Sequence, residues 1–163
     1  MSTGSVEAAG YALAYREAAR GLKEQEKAVV ELRTRSGGLI SVAAIVMSFF
    51  GPRTLVRGAS GAAGWVAIGC FVLLGFTVVL ILWPRREWEF SMGPNEFIAT
   101  YLEPEEGDAL EPHAIERDLA LHMGRSAEMN RRRLGMLAKA FRLAGLLLVA
   151  EVLAWVVALV IQG

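Results

Sequence analysis

Residues 61–83 read GAAGWVAIGCFVLLGFTVVLILW, 23 residues without one Asp, Glu, Lys or Arg. At the rise of an α-helix they make about 34 Å, enough for the ~30 Å hydrocarbon core of a bilayer. Trp65 and Trp83 stand near the two ends, where amphipathic rings prefer the headgroup layer. Pro84, Arg85 and Arg86 follow at once. This stretch is therefore expected to cross a membrane.

Two further runs share its character. Residues 143–163 hold 21 residues and a single charge, Glu151. Residues 37–51, GGLISVAAIVMSFFG, make only about 22 Å of helix. Arg33 and Arg35 can snorkel at one end of that run, and Leu55 and Val56 prolong it beyond Pro52. It is expected to cross as the first arm of a hairpin, with Pro52, Gly58 and Ser60 as breakers in a turn over residues 52–60.

Apart from Arg53 and Arg57, the remaining charges crowd into residues 5–35 and 85–142. An uneven split of this kind belongs to a chain with two solvents. The predicted fold is an all-α membrane protein with about three transmembrane helices. Residues 1–36 form an N-terminal cytoplasmic amphipathic helix that starts at Ser5 and ends in a basic, small-residue junction. Residues 37–83 form the hairpin, with spans at 37–55 and 61–83. Residues 84–142 form a cytoplasmic linker and helix, and residues 143–163 the third span. Pro112 suits the first turn of the last helix. No proline follows it, so one helix is expected to run from there through the third span. Within the linker, WEFSM at 88–92 alternates as a short strand or interfacial stretch would, and 96–102 reads as a short helix.

Two seams are legible in the polar parts. Tyr15, Ala18, Leu22, Gln25, Val29 and Leu32 recur at alternating steps of three and four, the spacing of a coiled-coil face. Ile115, Leu119, His122, Ser126, Met129, Arg133 and Met136 form a second, poorer stripe. Packing of the first seam on its own chain and pairing with a second chain both fit.

The cations set the expected orientation. Six Lys and Arg precede the first span, nine lie in 85–142, and only Arg53 and Arg57 lie in the turn. With three crossings this places fifteen cations on one side against two on the other. The N-terminus is then cytoplasmic, the C-terminus outside, and the location the inner membrane. Arg85, Arg86, Arg131, Arg132 and Arg133 are the membrane-interface basic residues, drawn to anionic lipid. The formal net charge is zero, so no basic field favours nucleic acid, and no nucleic-acid partner is expected. The first apolar run starts too late for a secretory leader, and no lipidation signal is read.

An enzyme is not expected. His113 and His122 are the only histidines, and no HExxH, GxSxG or phosphate-binding glycine loop occurs. The acidic residues Glu103, Glu105, Glu106, Asp108 and Glu111 lack calcium-loop spacing. Cys70 stands alone in an apolar run and reads as a packing residue. No metal and no cofactor is expected.

Glu151 is the intramembrane polar candidate. A carboxylate near mid-bilayer costs at least ~2.5 kcal/mol and should face protein or water. It reads either as a pore-lining or proton-sensitive group, or as a protonated acid bonded to Ser41, Ser48 or Thr77. Ala150, Ala154 and Ala158 form a small-residue ladder beside it, and Gly37, Ser41, Ala44 and Ser48 line the first span, with Ala63 and Ala67 on the second. Such residues allow close helix packing, within a chain or in a homo-oligomer.

The order of these pieces resembles the transmembrane effectors of Pycsar-type bacterial defence systems and the related SLATT-domain proteins. The resemblance is carried by the junction ELRTRSGGLISVAAIVMSFFG, by the hairpin closing in LWPRREWEF, and by NRRRLGMLAKAF running into LLLVAEVLAWVVAL. It covers most of the chain as architecture. It implies a protein that assembles in the membrane and permeabilises it to stop phage spread. No nucleotide-binding domain accompanies these segments. The bilayer and further copies of the chain are the expected partners. A membrane anchor for a cytoplasmic partner is the alternative, followed by a small ion or proton transporter.

Overall fold

The computed structural model describes residues 3–56, 61–83, 93, 97–102 and 111–162. Among these residues no strand occurs. Three long helices carry the fold: α1, Thr3–Val56; α2, Ala62–Leu82; and α3, Pro112–Gln162. A single π-helical turn, Ile98–Leu102, lies between α2 and α3. All three long helices have the length and composition to cross a membrane, which fits a multi-pass membrane protein. The WEFSM stretch and the interface arginines Arg85 and Arg86 lie outside the described residues.

The helix expected to end at a junction near residue 36 does not end there. α1 runs unbroken through Gly37 and Gly38. Hydroxyls support it from within: Thr34 donates to the Val30 carbonyl at 3.0 Å, Ser36 to Leu32 at 2.7 Å, and Ser41 to Gly37 at 3.0 Å. Two glycines cost about 1 kcal/mol each in a helix interior. An apolar medium that leaves no alternative partner for the backbone outweighs that cost. The expected turn is shortened for the same reason. Pro52 lies inside α1, which continues to Val56. A proline this near a helix end frees few backbone groups, and transmembrane helices tolerate it.

The chain divides into two compact units. The first comprises residues 1–29 with 85–134, and the second residues 30–84 with 135–163.

In the first unit, α1 packs on α3 of the same chain. Leu22 and Val29 of the α1 seam are buried, and Gln25 Nε2 donates to the Ala127 carbonyl at 3.0 Å. On α3 the buried side chains are Leu119, Ser126 and Asn130. The stripe read from the sequence continued instead through Met129, which is exposed. The step from Ser126 is four residues rather than three. Both steps are compatible with 3.6 residues per turn, and the structure takes the one that buries the Asn130 side chain. The π-turn docks through Tyr101, a buried ring whose hydroxyl donates to Asp118 Oδ2 at 2.6 Å. Phe97 lies against that ring at 5.4 Å between centroids.

In the second unit, two clusters fix the helix directions. One joins Ala43 of α1, Leu74 and Val78 of α2, and Ala144 of α3. The other joins Val46, Met47 and Phe50 with Ala63 and Ala67, and with Trp155 and Ala158. From the first cluster to the second, residue numbers rise on α1, fall on α2 and rise on α3. So α1 and α3 run parallel, with α2 antiparallel to both. Ala43, Ala67, Ala144 and Ala158 are all buried at these contacts, and small residues there let the backbones approach. Gly75 belongs to the same contact, since a Cβ on it would sit 3.4 Å from Ile40 Cδ1. The outer faces carry Ile45, Phe49, Val72, Phe76, Leu146, Leu153 and Val160, all exposed in the monomer, as side chains facing acyl chains would be.

Leu119 and Leu121 separate the two faces of α3 in the first unit, at 7% and 46% exposure. Leu119→Ala should lose about 2–5 kcal/mol of stability, and Leu121→Ala no more than about 0.5. Thermal unfolding in detergent, followed by helical circular dichroism, measures both, and equal losses would contradict this packing.

Candidate intramembrane site

The site is built on the inward stripe of α3 in the second unit. Ala144, Glu151, Trp155 and Ala158 are buried there, with Leu148 half-buried. These positions step by four, three, four and three, which holds one face of a 3.6-residue helix toward its neighbours. Glu151 is therefore carried inward by the same periodicity as the apolar residues around it. It is 0% exposed. On α3 it falls between the two clusters, after Leu148 of the first and before Ala154 and Trp155 of the second.

Neither carboxyl oxygen of Glu151 has a hydrogen-bond partner, and the same holds for Trp155 Nε1. The indole lies one turn further along the same helix, outside hydrogen-bonding geometry. The three hydroxyls expected as partners are spoken for. Ser41 donates to Gly37, Ser48 to Ala44 at 2.8 Å, and Thr77 to Leu73 at 2.8 Å, each to a carbonyl of its own helix. Of the two readings open from the sequence, the acid bonded to Ser41, Ser48 or Thr77 is not the one seen, and Glu151 is enclosed without a bond. Short hydroxyl side chains in helices reach the carbonyl four residues back.

The small-residue ladders are placed differently from one another. Of Gly37, Ser41, Ala44 and Ser48, the first is half-buried and the other three are exposed among the described residues. Ala150 is exposed, Ala154 half-buried and Ala158 buried. Steps of four residues overshoot a full turn by about 40° each, so the ladder winds from the lipid side to the inside. On the second span Ala67 is buried and Ala63 half-buried.

Of the basic residues in α3, Arg131 and Arg132 are exposed and Arg133 is half-buried. Arg132 pairs with Glu128 at 3.6 Å, an exposed i, i+4 pair of small energetic weight. His113 lies 3.2 Å from Glu111. Among the described residues no three of His, Cys, Asp and Glu gather as a metal would require.

Trp155 and Tyr101 escaped the sequence reading. Trp155 was within reach, because an inward Glu151 implies that the residue four further on faces inward too. The Tyr101–Asp118 bond had no such signal, since it joins residues 17 positions apart in the chain. No protein-family model matches the chain, and neither a curated protein nor a solved structure is significantly similar to it. The described residues form a helical chain with three helices long and apolar enough to cross a membrane and an enclosed acid on the last of them.

A buried polar group without a partner costs about 1–3 kcal/mol. Glu151→Met, which keeps the volume and removes the oxygens, should therefore raise stability by a similar amount. Thermal unfolding in micelles checks this, and a loss instead would mean that the carboxyl makes a stabilising bond.

Proposed function

We propose that this chain is an oligomerising effector of the bacterial inner membrane that perturbs or permeabilises the bilayer in antiphage defence. The observation that carries the reading is Glu151. A protein that needed only to be held in a membrane would be more stable with an apolar residue at that position. An ionisable group kept inside the membrane at a cost is the usual sign of function there. The exposed face of Ser41, Ala44 and Ser48 supplies a surface on which helices of separate copies can approach closely. The cation bias puts the N-terminus in the cytoplasm, and three crossings put the C-terminus outside. The unit of residues 1–29 and 85–134 then lies in the cytoplasm and regulates assembly. The reading needs no catalytic centre and no cofactor.

A second reading, an anchor for a cytoplasmic partner, draws on the exposed apolar side chains of Leu13 and Met129 in that unit. Induced expression in a bacterial host separates the two. The effector arrests growth and admits a membrane-impermeant dye. Ala44→Leu should insert normally and admit several-fold less dye, by obstructing contact between copies. Harmless expression with a co-purifying soluble protein would replace the effector with the anchor. Reporter fusions at both termini test the orientation, and termini in one compartment would overturn it.

A further inference from the structure

We infer that Glu151 is a proton-binding site in the middle of the membrane unit, occupied while the three helices are packed and emptied only when the packing around it opens. This site stands on the geometry of the helix seam and is independent of the effector reading. Both carboxyl oxygens are enclosed, and neither makes a hydrogen bond.

The groups around it are known from the cluster membership. Toward one end lie Ala43, Leu74, Val78 and Ala144, and toward the other Ala67, Trp155 and Ala158. At the level between the clusters, α2 presents residues 68–71, and Cys70 is the one titratable group there. α1 presents residues 43–46, AAIV, with none. Among the described side chains of α1 in this unit, Glu31, Arg33 and Arg35 precede the apolar stretch. On α3, Lys139 and Arg142 precede Glu151, the nearer by nine residues, or about 13 Å of helix. Among the described residues no cation therefore stands at its level. The Trp155 N–H is the donor at hand, and a single neutral donor does not offset enclosure of a full charge.

The packed arrangement accordingly holds the uncharged acid. Ionisation sends the proton to bulk water and leaves a carboxylate that must be hydrated, which requires the helices to separate at this level. The site thus couples one proton to opening of the helix seam.

Cys70 is the only cysteine in the chain, half-buried at that level, and reports opening directly. The full chain is reconstituted in phospholipid vesicles and labelled with a small membrane-permeant maleimide over a range of pH. The wild-type rate is divided by that of Glu151→Gln, which carries the same thiol, so the thiol's own titration cancels. The ratio should rise with pH by up to about tenfold per unit, the limit for one proton. Glu151→Asp, which keeps the acid, should follow the wild type. A ratio constant with pH, or an Asp variant that follows Gln, overturns the inference. Dye leakage from the same vesicles is read separately. A rising ratio without leakage upholds the proton site and removes the effector reading alone.

Discussion

Hydrocarbon offers a peptide group nothing to bond with, and the second unit is arranged around that fact. Each backbone N–H and C=O in a membrane crossing has to be satisfied within its own helix. The hydroxyls obey the same rule: Ser36, Ser41, Ser48 and Thr77 all return to a carbonyl four residues back. With the polar groups turned inward on their own helices, little is left to join one helix to another except shape. Lipid tails are as apolar as leucine, so burial of apolar surface drives association weakly. Close approach at Ala43, Ala67, Ala144 and Ala158 does the work, through many small dispersion contacts.

Glu151 breaks this rule. Its helix is satisfied, but its side chain is turned into the seam without a partner. The stripe that holds it there is made by Ala144, Leu148, Trp155 and Ala158, so the apolar packing forces the acid inward. Turning it out would expose a carboxyl to acyl chains, which is no better. The inferred coupling of a proton to the packing of the unit follows from that enclosure.

The first unit solves a more familiar problem. Its exposed faces carry ion pairs one turn apart, such as Arg20–Glu24 and Arg132–Glu128. Its seam combines Leu22, Val29 and Leu119 with buried Ser126 and Asn130. Polar residues in a helix seam lower stability but restrict register, and the Gln25 bond to the Ala127 carbonyl acts in that way. Tyr101 and Asp118 tie the π-turn to α3 by one charge-assisted bond.

Composition and periodicity were enough for the three apolar helices, for the single run from Pro112 onward, and for the choice of Glu151 as the residue to explain. These depend on hydrophobicity and on local backbone preference, which are carried by the residues themselves. The passage of α1 through Gly37, Gly38 and Pro52 was not legible, because the local signals for breaking a helix are present there and the environment overrules them. Nor was the choice of Asn130 over Met129, or the exposure of Ser41, Ala44 and Ser48 beside the burial of Ala158. A sequence shows that a helix has faces. Which face meets a neighbour depends on a few tens of degrees of rotation, and only the packing of one helix against another supplies them.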